Sequence, residues 1–81
     1  MKTINDTSSA LDGLFVYPCG TPTEGPNQLK SPLGASNSLT LTGIPPGCYL
    51  FHATTTTGGE ARTPSGVTLT AGRLYTWTLT N

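Results

Sequence analysis

From Ser38 onward, apolar and hydroxyl side chains alternate with a period of two. The runs are Ser38-Leu-Thr-Leu-Thr-Gly43, Pro46-Gly-Cys-Tyr-Leu-Phe-His-Ala53, Gly66-Val-Thr-Leu-Thr-Ala-Gly72 and Leu74-Tyr-Thr-Trp-Thr-Leu-Thr80. Each is bounded by Gly or Pro-Gly, the pattern of half-buried antiparallel strands. The alternation directs Leu39 and Leu41, then Tyr49, Phe51 and Ala53, then Val67 and Leu69, then Tyr75, Trp77 and Leu79 to a common core. The turn Gly43-Ile-Pro-Pro-Gly47 adds Ile44. Cys48, Leu50, His52 and Thr54 fall on the opposite face of their strand. Thr57-Gly58-Gly59-Glu60 reads as a hairpin turn, because two glycines supply the positive φ that tight hairpins need. A return strand begins at Ala61 to Thr63, and Pro64 confines it to an edge or bulge position.

The first half of the chain is less regular. Lys2 to Asn5 is a weak strand candidate. Leu11 to Tyr17 is rich in β-formers and apolar on both faces, Leu14 and Val16 on one and Phe15 and Tyr17 on the other, which predicts a strand that is central or partly covered on both sides. Residues 18–37 contain Pro18, Pro22, Pro26 and Pro32 together with Gly20, Gly25 and Gly34, so they sustain neither a helix nor a central strand. A short edge strand around Gln28 to Lys30 is the one element expected there. The prediction is therefore a single all-β domain over residues 1–81. It is a small Greek-key sandwich of immunoglobulin or transthyretin-like type, with six to seven strands, no helix and a Pro/Gly-rich loop at 18–37.

Composition narrows the roles open to such a domain. The chain has 81 residues, a formal net charge of zero and only 10% charged residues. The four cations, Lys2, Lys30, Arg62 and Arg73, are scattered and cannot neutralise a run of phosphates, so nucleic acid is excluded as a partner. No run approaches the roughly 18 apolar residues of a membrane span, and Met1-Lys-Thr-Ile-Asn lacks the apolar segment of a signal peptide. Hydroxyls and glycines cover the surface, a composition common on extracellular, cell-surface and virion proteins. Asn5-Asp6-Thr7 fits the acceptor pattern for N-glycosylation. The Thr rows suggest a flat ice-binding array only if a solenoid aligns them, and the Leu/Val-Thr-Leu-Thr near-repeat occurs just twice.

Candidate chemistry is sparse. Cys19 and Cys48 are 29 positions apart and admit three readings. They form a disulfide of the kind small secreted domains use, they remain half-buried free thiols, or they join His52 and a stray carboxylate in a zinc site, which normally takes three or four protein ligands. As a nucleophile–base pair, Cys48 and His52 on one strand stand about 13 Å apart, beyond hydrogen-bond reach. The carboxylates Asp6, Asp12, Glu24 and Glu60 all lie in predicted turns or strand ends, and no Gly-x-Ser-x-Gly elbow occurs. The expectation is a non-enzymatic chain without cofactor or metal, with His52 a surface or satisfied strand histidine rather than a base.

The segment from Leu39 to Leu79, with Leu-Thr-Gly-Ile-Pro-Pro-Gly-x-Tyr49-x-Phe51-x-Ala53, a Gly-Gly turn, Gly-Val-Thr-Leu-Thr-Ala-Gly and a final alternating strand, resembles the transthyretin-like modules of the carboxypeptidase regulatory type. The likeness covers about half the chain. It implies a seven-stranded Greek-key sandwich serving as an accessory, adhesive or spacer module. The 18–37 loop and the cysteine pair depart from that pattern, and the shared positions are structural, so no functional residue carries over. Two roles follow as expectations. One is a structural or interaction module acting by self-assembly or with a protein partner, on a cell surface, fibre or virion. The other is a glycan- or small-ligand-binding module using the 18–37 loop, with Tyr17 or Trp77 as its platform.

Overall fold

The computed structural model describes residues 1–63 and 65–80, so Pro64 and the position expected of it lie outside the described residues. Two sheets pack into an all-β sandwich, with no helix among the described residues. Strands β1 (Lys2–Asp6), β3 (Ser38–Thr40) and β7 (Thr76–Thr80) form a three-stranded sheet in the order β3-β1-β7. The second sheet is built around β4 (Gly47–Thr55). Strand β2 (Leu11–Pro18) runs antiparallel along one side of it, while β5 (Glu60–Arg62) and β6 (Val67–Leu69) lie end to end along the other.

The pleat assigns side chains as the sequence predicts. Phe51 and Ala53 are buried and Tyr49 half-buried on one face of β4, and the register places Leu14 opposite Ala53 and Val16 opposite Phe51. Across the sandwich, the Phe51 ring lies 5.4 Å from Trp77 and 5.7 Å from Tyr75, a tilted aromatic trio that joins the sheets. Tilted rings at this spacing favour the aromatic quadrupoles as well as burying apolar area. Leu11, Leu14, Ala53 and Leu79 form the centre of the core. The hairpin between β4 and β5 closes at Gly58, whose φ of 89° is open to glycine at little cost. The Thr55 N–H donates to the Gly59 carbonyl across it.

Two features depart from the expected picture. First, β1 turns polar side chains inward: Thr3 and Asn5 are fully buried opposite Trp77 and Leu79. Asn5 is satisfied on both ends of its amide. Nδ2 donates to the carbonyls of Ser9 and Leu33 at 2.9 and 3.0 Å, and Oδ1 accepts from the Thr7 N–H and the Thr7 hydroxyl. The glycosylation pattern at Asn5 is therefore a buried structural turn in the folded chain. Second, no strand forms at 28–30. Instead the segment lies along the outer edge of β2 and bonds to it piecemeal. Asn27 Oδ1 accepts from the Leu14 N–H, the Gln28 N–H donates to the Leu14 carbonyl at 2.7 Å, and Leu33 exchanges a pair of bonds with Leu11. Leu29 and Leu33 then pack against the core. A side-chain amide replaces one main-chain partner here, which suits a segment whose prolines cannot donate a regular ladder.

Candidate functional site

The cysteines settle first. Cys19 follows the end of β2 and Cys48 opens β4; their Cα atoms are 5.4 Å apart and the sulfurs are bonded. The Cys19 N–H also donates to the Cys48 carbonyl, continuing the β2–β4 ladder by one residue. With both sulfurs in this bond, the free-thiol and zinc readings lose their ligands. Residue 66 passes so close to the bridge that a Cβ placed there would collide with both sulfurs, which explains glycine at the entry to β6.

Tyr17 and Trp77 do not share a platform. Tyr17 lies on the outer face of β2, opposite Leu50, whereas Trp77 belongs to the other sheet and faces Phe51 in the interior. The Thr rows are likewise divided between the sheets, Thr68 on β6 and Thr76, Thr78 and Thr80 on β7.

One polar constellation was not foreseen. His52 is 4% exposed on the outer face of the four-stranded sheet and stacks on Phe15 at 5.6 Å. Glu24, reaching in from the loop, places Oε2 at 2.6 Å from His52 Nδ1, an ion-pair distance outside hydrogen-bonding geometry. Glu60 Oε1 lies 3.2 Å from Nε2 on the other side of the ring, in hydrogen-bonding geometry. Arg62 spans the two acids, 3.4 Å from Glu24 Oε2 and 3.9 Å from Glu60 Oε1. The β4–β5 register pairs His52 with Arg62 and Thr54 with Glu60, so all three β-sheet members share a face. That part was not legible, because the turn read at Thr57 to Glu60 sets Arg62 opposite Thr55, on the other face, whereas the folded chain pairs Thr54 with Glu60. Nor was Glu24, since only the folded loop brings it there. Two carboxylates, one guanidinium and one imidazole occupied with one another make a clamp that holds the loop against the sheet.

Apolar surface gathers at one end of the sandwich. A cleft of about 370 Å³ opens between the β3–β4 and β6–β7 turns, lined by Met1, Leu41, Ile44, Leu69, Leu74 and Tyr75. Leu74 is 62% exposed at its rim, immediately before β7 begins.

Strand edges complete the inventory of surfaces. The outer edge of β2 is occupied along Leu11 to Leu14 by residues 27–33. Strands β3, β5 and β6 are three residues each, and β5 carries Glu60 and Arg62. Strand β7 is longer, reads Thr-Trp-Thr-Leu-Thr, and closes its sheet with one side unpaired among the described residues. Comparison with protein-family models, with curated proteins and with solved structures finds no match to this chain. No helix among the described residues is long and apolar enough to cross a membrane.

Proposed function

We propose that this chain is a non-enzymatic interaction module that acts by assembly or surface display, as a cell-surface, fibre or virion-decorating subunit. The observation that carries this reading is β7, an uncharged, proline-free edge strand with one side unpaired, followed closely in support by the exposed Leu74 at the adjoining cleft. Unprotected edges of this kind are templates for pairing with another strand, and domains that stay apart blunt them with charge, proline or cover. The disulfide suits an oxidising compartment such as the cell exterior. The likeness to transthyretin-like modules agrees with an accessory or adhesive role.

The titratable groups favour the same reading. His52 is buried, and its two acidic neighbours are engaged with it and with Arg62, so the cluster's polar capacity goes into holding the loop. The glycan-binding alternative draws less support: Trp77 packs against Phe51, and residues 27–33 of the 18–37 loop are laid along β2. Sedimentation velocity and negative-stain imaging of the purified chain, run beside a glycan array, test the proposal. Concentration-dependent assembly without glycan binding is expected. A chain that stays monomeric at millimolar concentration and binds glycans overturns it.

A further inference from the structure

Resting on the assembly reading above, we infer that the partner at β7 is a second copy of this chain. The two β7 strands pair antiparallel about a two-fold axis through Thr78, fusing the two three-stranded sheets into one.

The phase of the hydrogen bonds defines what β7 offers. The Lys2 N–H donates to the Tyr75 carbonyl at 2.8 Å, and β1 then runs parallel to β7 with Lys2 beside Thr76 and Asp6 beside Thr80. Along a strand the N–H and C=O of one residue point to one side and those of the next to the other. Tyr75, Trp77 and Leu79 therefore address β1, and Thr76, Thr78 and Thr80 present their N–H and C=O groups to the open side. All three Thr side chains are exposed.

This array is self-complementary. An antiparallel two-fold through Thr78 sets Thr78 against Thr78 of the second copy and Thr76 against Thr80 of the second copy. Every residue with free main-chain groups thus meets another with free groups, in hydrogen-bonded pairs that exchange two bonds each, about six in all. The intervening pairs join Trp77 to Leu79 of the second copy on the core side, extending the inter-sheet apolar layer. On the outer face the cross-strand pairs are Thr with Thr, a favourable β-branched combination. A two-fold interface needs this kind of patch, complementary to itself. Charge does not oppose it: β7 carries none, and the chain's formal net charge is zero, which removes long-range repulsion between copies. The other edges are covered, charged or three residues long, so β7 is where a copy gains the most main-chain bonds.

The experiment uses the full disulfide-bonded chain in sedimentation velocity from micromolar to millimolar concentration, with amide hydrogen exchange at both ends of the range. The wild type should pass from monomer to dimer. The amides of Thr76, Thr78 and Thr80 should exchange slowly at high concentration and fast on dilution, while those of Trp77 and Leu79 stay protected throughout. T78P removes an outward N–H that the monomer does not use, a position where an edge strand accepts proline. Because two symmetry-related bonds are lost, its dimer should dissociate about 10- to 100-fold more readily. T78K leaves the backbone intact and sets two like charges face to face on the axis, with the same direction of effect. A wild type that dimerises without protecting the three Thr amides, or T78P and T78K chains that associate like wild type, overturn the β7 pairing and leave assembly standing. A wild type monomeric throughout overturns both. A monomer that binds a strand of a different protein at β7 overturns the self-pairing alone.

Discussion

Replacing Asn5 by Asp alters hydrogen bonding and charge at a fully buried site while leaving the volume almost unchanged. The amide's orientation is fixed by partners that have no choice of role. The Thr7 N–H can only donate, so it faces Oδ1; the carbonyls of Ser9 and Leu33 can only accept, so they face Nδ2. A carboxylate keeps the first interaction and turns a lone-pair oxygen toward two carbonyl oxygens. Each orphaned acceptor costs about 1–3 kcal/mol, and an unpaired buried charge adds to it, so Asn5→Asp should lose roughly 3–5 kcal/mol at neutral pH. That is a large share of the roughly 4–12 kcal/mol expected for a domain of this length. The loss has a defined pH dependence. Burial and the facing carbonyls hold the introduced carboxyl above its unfolded value of about 3.9. Below that value both states are protonated, the charge penalty is absent, and the acid can donate one of the two bonds. As pH rises from the unfolded toward the raised folded value, the penalty grows, then levels off. Asn5→Ala should lose a comparable amount at neutral pH without the pH dependence. Urea unfolding followed by Trp77 emission from acid to neutral pH, with wild type subtracted at each point, measures both. An Asn5→Asp chain within about 0.5 kcal/mol of wild type at neutral pH, or a deficit that does not change with pH, refutes the assigned role.

Reducing the disulfide, or replacing Cys19 and Cys48 together by Ser, should cost about 3–4 kcal/mol for closure of a loop spanning 29 positions; the midpoint shift in urea measures it. Gly66→Ala should push β6 away from the bridge and destabilise by about 1–3 kcal/mol; a thiol count under denaturing, non-reducing conditions reports any chains in which the bond fails to form. Glu24→Ala should release the loop, seen as faster amide exchange in residues 21–27 with about 1 kcal/mol or less of global stability lost, since this carboxylate is partly solvated.

The strands from Ser38 onward were legible because apolar and polar side chains alternate along them, a period of two that holds even on β4, where His52 on the outer face is buried like Phe51 and Ala53 on the inner one. The same rule failed for β1. Thr3 and Asn5 point inward, so the strand's polar residues lie where periodicity expects apolar ones; four hydrogen bonds around its amide reconcile Asn5 with burial, whereas Thr3 Oγ1 has no hydrogen-bond partner among the described residues. The disulfide stood among three readings, because spacing alone cannot bring two cysteines within bonding distance. In the clamp around His52, the β5 members did not follow from the turn read at Thr57 to Glu60, whose register turns Glu60 and Arg62 to the other face. Nor did Glu24, since no local pattern tells a loop acid which face of a sheet it will reach. Leu29 and Leu33 escaped the predicted core for the same reason: core positions in a loop have no period.

The long loop and the open edge are two answers to one problem. A two-sheet sandwich of this size must leave strand edges, and an edge with unpaired N–H and C=O groups is satisfied by water, by its own chain or by another. At β2 the chain supplies the cover itself. A connection of about twenty residues costs only a few tenths of a kcal/mol more to close than one somewhat shorter, and here it is pinned by the disulfide at its start, by Asn27 on Leu14, by Glu24 on His52 and by Leu33 on Leu11 and Asn5. Those pins explain why a segment rich in Pro and Gly can be ordered without being a strand. At β7 no such cover exists among the described residues. The exposed residues there are Thr, whose hydroxyls keep the face wetted without the charge that would repel an incoming strand. Spending the loop on β2 thus directs any intermolecular pairing to the opposite sheet, away from the disulfide and the His52 clamp.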